Sequence, residues 1–172
     1  MRVYFGSPFP DALHVRRLHL LARMRGLEPV SAWAETSDGP EELERMPLRT
    51  VRTLAAQNDR DLLSAHVVVI LAREGAGGEM FAEARLALAH GIPVIWVGAR
   101  RPLTAYREGV LRINCVPTAL RVLTAFAALA NELGLDDADS RFLIWTLIEQ
   151  LEERGHAPEA ADYHPPARGA AA

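Results

Sequence analysis

Residues 67–71 read Val-Val-Val-Ile-Leu and residues 92–97 read Ile-Pro-Val-Ile-Trp-Val, and these two runs decide the fold class. Both are continuous and apolar, which is typical of β-strands covered on both faces. Helical patterns separate them from each other and from weaker strand-like runs at 2–5, 29–34 and 110–113. We therefore predict an α/β fold: a doubly wound, mostly parallel sheet of about five strands flanked by helices, flavodoxin-like or Rossmann-like.

The length of 172 residues fits one compact domain. We place this domain at 1–154, with additional C-terminal helices predicted at about 118–133 and 139–153. The remaining tail, 155–172, contains three prolines and a run of alanines. This composition cannot bury enough apolar surface to order a chain, so we expect the tail to be disordered.

Composition excludes several classes of chemistry. All 19 basic side chains are Arg, so a P-loop and any enzyme that needs a Schiff-base lysine are excluded. A formal net charge of −3 leaves no general basic surface, and we predict no nucleic-acid partner. The single cysteine, Cys115, excludes a disulfide framework and a thiolate zinc cluster. The six histidines show no ligand spacing, so neither a metal nor a cofactor is predicted.

The apolar runs are too short to span a membrane, and the N-terminus opens directly into strand-like sequence without a signal peptide. We therefore expect a soluble, cytoplasmic protein with a small-molecule partner and no membrane contact. Residues 142–151 make the last predicted helix apolar nearly all round, which predicts either burial or a subunit interface. We accordingly expect a homo-oligomer.

Candidate binding residues follow the predicted strands, because ligands of open parallel sheets bind beyond the strand C-termini. Phe9 follows the first strand and either stacks on a base or packs within its loop. The glycine cluster at 75–78 follows the third strand. It favours close approach of an anion or ligand, or is only a flexible loop.

Three blocks within residues 2–98 resemble, in order and spacing, the nucleoside 2-deoxyribosyltransferase-like proteins. Residues 3–7 are similar to their opening strand, with its Tyr and small-residue turn. Residues 57–71 resemble their second block, in which an acid precedes an apolar strand. Residues 77–94 resemble their third block: a glycine loop, a helix that carries a Glu, and a Gly-x-Pro-Val strand entry.

This resemblance implies cleavage or transfer at the N-glycosidic bond of a (deoxy)nucleoside or nucleotide through a covalent glycosyl-enzyme. Glu83 matches the family's nucleophile and Tyr4 the phenol that orients it. The acid matches Asp59 by its Gln-Asn-Asp context and Asn58 by counting back from the strand, so both stay candidates. The resemblance also implies substrate-binding residues after the first strand and in the glycine loop: Gly6, Ser7, Phe9, Gly77 and Gly78.

The chain departs from the family's pattern at Asn58, at His66 (usually Asp) and at Arg85 (usually small). These departures favour an alternative, a non-catalytic nucleotide-binding member of the same fold. A glycine loop followed by a helix Glu is also typical of a TIR-like or phosphoribohydrolase-like enzyme that uses the same residue. We interpret His66, at a strand entry, as a hydrogen-bonded structural histidine.

Overall fold

A parallel sheet forms the centre of the protein in the computed structural model, which describes residues 1–36, 44–72, 78–98 and 103–153. The sheet has five strands in the order β2-β1-β3-β4-β5, and each neighbouring pair is parallel. The strands are β1 (Arg2–Gly6), β2 (Glu28–Pro29), β3 (Val67–Leu71), β4 (Val94–Val97) and β5 (Val110–Ile113). The predicted doubly wound α/β fold is confirmed.

Helices alternate with the strands, and two further helices follow the last one, as predicted. The helices are α1 (Ala12–Arg23), α2 (Trp33–Thr36), α3 (Leu48–Ser64), α4 (Glu79–Ala89), α5 (Val116–Glu132) and α6 (Asp137–Glu153). Short 3-10 turns occur at Phe9–Asp11 and Leu103–Tyr106. Among the described residues, no helix combines the length and apolarity needed to cross a membrane.

The sheet separates two hydrophobic clusters, because successive strand residues point to opposite faces. Val3 and Phe5 of β1 belong to the cluster that α1, α5 and α6 cover. Tyr4, between them, belongs to the cluster that α3 and α4 cover. The alternation along β1 therefore directs the Tyr4 side chain toward α3 and α4.

The second strand is shorter than the run at 29–34 predicts: β2 ends at Pro29, and α2 begins at Trp33. Beyond that point, two side chains form hydrogen bonds with the backbone of β1 in place of β2. The Phe5 N–H donates to Ser31 Oγ at 3.1 Å, and Trp33 Nε1–H donates to the Phe5 carbonyl at 3.0 Å. These bonds pair the backbone N–H and C=O of Phe5 where β2 no longer does so.

His66 lies where β3 begins, at the end of the sheet opposite the strand C-termini. Its Nδ1 accepts the Arg2 N–H at 2.8 Å, so Nε2 carries the ring proton and donates to Asp137 Oδ1 at 2.7 Å. Arg2 also binds Asp137 through its guanidinium, at 2.5 Å. These contacts tie the start of α6 to β1 and β3, and the interpretation of His66 as structural is confirmed.

We expect acid to destabilise this His66 contact. Burial lowers the pKa of His66 below its ordinary 6.5, and the nearby charge of Arg2 lowers it further. A second ring proton, on Nδ1, would also break the bond from the Arg2 N–H. Below about pH 6.5 the unfolded chain therefore binds a proton that the folded protein does not, and the unfolding free energy falls. Urea unfolding at pH 7 and pH 5 should show a smaller loss in His66→Gln than in the wild type. Equal losses in the two proteins would contradict this role.

The C-terminal helix α6 packs along the outer strand β5. The Arg112 N–H, which points out of the sheet edge, donates to Glu152 Oε1 at 3.0 Å, and the guanidinium of Arg112 binds the other carboxylate oxygen. Ile144 and Ile148 are fully buried within the chain, whereas Phe142 is 74% exposed. Burial within the chain thus explains part of the apolar sequence at 142–151, and the homo-oligomer stays a prediction. The predicted tail, 155–172, lies outside the described residues.

Candidate active site

Three polar side chains meet at one point between the sheet and its helices. Tyr4 comes from β1, Asn58 from α3 and Glu83 from α4. The Tyr4 hydroxyl lies 2.5 Å from Glu83 Oε1 and 2.8 Å from Asn58 Oδ1. Asn58 Nδ2 donates to the same Glu83 oxygen at 3.2 Å. The structure therefore brings together Tyr4, Glu83 and Asn58, one of the two candidates for the acid.

The inner face of α4 carries Glu83 toward the sheet. Met80, Ala84 and Ala87 are buried on that face, and helical spacing places Glu83 beside them. The small alanines allow the helix to lie close to the strands, so that a Glu side chain reaches the end of β1.

Gly6 makes room for the carboxylate at the end of β1. A Cβ atom at this position would lie 2.4 Å from Glu83 Oε2 and 2.8 Å from Ile70 Cδ1. Both distances are shorter than any real Cβ contact, so a side chain here would displace one of these groups. We conclude that the absence of a side chain at Gly6 allows the Glu83 carboxylate to occupy its position. Its implied contact with substrate stays a prediction.

The hydrogen bonds among the three side chains differ with the protonation of Glu83. With the carboxylate ionised, Tyr4 O–H and Asn58 Nδ2–H both donate to Oε1, and Asn58 Oδ1 receives no proton from Tyr4. With the carboxyl protonated, Glu83 donates to Tyr4, Tyr4 donates to Asn58, and Asn58 donates back to Glu83. The protonated form thus makes a closed ring of three hydrogen bonds. In both protonation states, Glu83 is held by Tyr4 and Asn58.

Burial raises the pKa of Glu83 to about 7, against the lowering effect of its hydrogen bonds from Tyr4 and Asn58. The nearby carboxylates of Glu79 and Asp59 raise it further. Burial, followed by the charge of Glu83, also raises the pKa of Tyr4 well above its ordinary value. Near neutral pH, Glu83 is therefore present in both its protonated and its ionised form, whereas Tyr4 keeps its proton and remains a hydrogen-bond donor.

Glu83 Oε2 is buried and has no hydrogen-bond partner among the residues that the structure describes. Buried carboxylate oxygens are ordinarily paired, since an unpaired one loses its hydration without compensation. A carboxylate in this state is more basic and more nucleophilic than one in water.

A cavity of about 450 Å³ lies beside Glu83. Phe9 and Trp33 form an aromatic wall, with ring centroids 5.4 Å apart. Apolar side chains of α3 and α4 also line the cavity: Val51, Leu54, Ala55, Ala82 and Leu86. The dimensions and the apolar walls suit a small planar ligand with its reactive atom near the carboxylate.

The other predicted site residues are placed differently. Asp59 and Ser7 line the cavity, where the Ser7 hydroxyl donates to Asp11 at 3.1 Å. Asp59 is exposed and lacks the hydrogen bond to Glu83 that Asn58 makes. Gly78 directly precedes α4, and Gly77 lies outside the described residues.

Trp33 is the main lining residue that sequence reasoning missed. The interpretation of 29–34 as a strand concealed it, whereas the structure begins α2 at Trp33 and turns its ring to the cavity. Its position just after a strand on the sheet edge was the available signal.

Among the described residues, no group of three His, Cys, Asp or Glu side chains is arranged to hold a metal ion.

We expect the buried Glu83 charge to make folding less favourable as pH rises. The folded pKa of about 7 exceeds the ordinary 4.5, so the folded protein binds the proton more tightly across this interval. Stability from this group therefore falls between pH 4.5 and 7. Glu83→Gln should gain about 1–3 kcal/mol of unfolding free energy over the wild type between pH 5 and 8. The His66 titration is common to both proteins and cancels. A gain independent of pH would contradict the assignment.

Comparison of the chain with models of protein families, with curated proteins and with solved structures found no significant match in any of the three.

Proposed function

We propose that the protein cleaves or transfers the N-glycosidic bond of a (deoxy)nucleoside or nucleotide, with Glu83 as nucleophile. One observation carries the proposal: a buried carboxylate, held by Tyr4 and Asn58, stands beside an aromatic cavity of nucleoside size. Carboxylates attack oxocarbenium-like centres readily, and Glu83 presents an oxygen that has no hydrogen-bond partner among the described residues.

The proposed reaction has two displacements at C1′ of the sugar. In the first, the Glu83 carboxylate forms a bond to C1′ while the C1′–N bond breaks, and its electron pair leaves with the base nitrogen. In the second, water or another base attacks C1′ and releases Glu83 as a carboxylate. Two inversions retain the configuration of the sugar.

The surroundings of Glu83 favour the first displacement. Burial of an ionised carboxylate costs free energy, and conversion to a neutral glycosyl ester removes the buried charge. Tyr4 and Asn58 hold Oε1 and so limit the directions from which the carboxylate can meet C1′. Phe9 and Trp33 pack against each other in the cavity lining and supply aromatic surface for a nucleobase.

A second candidate function is nucleotide binding without turnover. Asn58 favours it: the family resemblance implies an acid at this position, and an amide cannot donate a proton to the leaving nitrogen.

Incubation with deoxynucleosides, ribonucleosides, their monophosphates and NAD, followed by chromatography of the free base, tests the proposal. Base release by the wild type, with an ester-linked sugar on Glu83 detected by intact mass, supports the glycosyl transfer mechanism. Saturable binding in calorimetry without base release would instead support the binding function.

A further inference from the structure

The described lining of the cavity beside Glu83 is acidic. Asp59 and Glu79 line it together with Glu83, and both are exposed at its mouth. None of the described lining residues is cationic. Their charges repel a phosphate and attract a positive group, so the cavity favours a cationic ligand over an anionic one.

Neither of the two side chains that hydrogen-bond Glu83 is placed to protonate a leaving base. The Asn58 amide cannot transfer a proton, and the Tyr4 hydroxyl is engaged with Glu83 and Asn58. A neutral purine or pyrimidine leaves as an anion unless its nitrogen is protonated. A base that is positively charged at the glycosidic nitrogen leaves as a neutral molecule and needs no such donor.

The aromatic wall fits the same kind of base. Phe9 and Trp33 lie with their ring centroids 5.4 Å apart at the edge of the cavity. Aromatic faces attract cations, most strongly where water is excluded. A planar cation in the cavity therefore has both aromatic rings and carboxylates within its lining.

We infer that the substrate is a nucleoside without phosphate whose base is a pyridinium-type cation; this rests on the proposed N-glycosidic function. The Glu83 carboxylate bonds to C1′, and the electron pair of the C1′–N bond neutralises the pyridinium nitrogen. Water then attacks C1′, loses a proton to solvent and frees the sugar and Glu83. The positive base also favours the ionised form of Glu83, the form that attacks.

Binding tests the charge preference with two ligands of nearly equal shape. Nicotinamide riboside is cationic, and its reduced dihydro form is neutral. Calorimetry with Glu83→Gln, which does not turn over, should show tighter binding of the cationic form. Asp59→Asn and Glu79→Gln in that background should each weaken its binding about two- to fivefold and leave the neutral form unaffected. The control Glu132→Gln changes the same charge at an exposed site on α5. Equal affinities for the two forms would overturn the inference.

Turnover separates this inference from the function on which it rests. The wild type should release nicotinamide from nicotinamide riboside, after correction for spontaneous hydrolysis, with a higher kcat/KM than any neutral deoxynucleoside shows. Asn58→Asp supplies an acid and should raise kcat for neutral nucleosides relative to nicotinamide riboside. Release of base only from neutral nucleosides would overturn the inference and leave the proposed function standing. Release from neither class would overturn both.

Discussion

Glu83→Gln is expected to lower base release by roughly 10⁴-fold or more, because removal of a covalent nucleophile closes the reaction path. Gln has nearly the same shape and keeps a carbonyl that accepts from Tyr4 and Asn58. The fold should therefore survive, and circular dichroism together with urea unfolding verifies that it does. Initial rates of base release, measured by chromatography at saturating substrate, give the effect.

The matched control for this loss is Glu132→Gln, which removes the same charge from an exposed position on α5. It should leave the rate within error of the wild type, since exposed surface substitutions away from a site rarely matter. A Glu83→Gln protein with a near-normal rate would show that this carboxylate is not the nucleophile.

Gly6→Ala is expected to lower the rate about 100-fold through displacement of Glu83. The new Cβ would lie 2.4 Å from Oε2, and the carboxylate is at the end of a flexible side chain that can move aside. Such a movement breaks the alignment with Tyr4 and Asn58 without removing any functional group. The accompanying loss of stability is expected to be about 1–3 kcal/mol, from the contact with Ile70 and the displaced carboxylate.

Gly78→Ala is the matched substitution for stability. A Cβ at Gly78 meets no atom within 4 Å, and φ is −67°, which any residue adopts. Thermal unfolding should therefore show a lower Tm for Gly6→Ala than for the wild type, and no decrease in Tm for Gly78→Ala. If Gly6→Ala retains the full rate, the room that this glycine makes for Glu83 is not required for function.

The sequence by itself determined the fold class. Runs such as 67–71 are apolar at every position, as is typical of the strands of parallel sheets, whose two faces are both covered by helices. This local property leaves few alternative fold classes. The short strand β2 was harder to predict, because side chains of Ser31 and Trp33 replace its ladder bonds to Phe5. Nothing local to 29–34 distinguishes such bonds from a continuing strand.

Tertiary structure alone decided which acid candidate meets Glu83. Asn58 and Asp59 are adjacent on α3, and one residue rotates a helix position by about 100°. Packing turns the face of Leu62 to the sheet, and Asn58, four residues earlier, shares that face while Asp59 points to the cavity mouth. The rotation of a helix about its axis depends on what it packs against. The sequence therefore names both candidates, and only the packed fold chooses between them.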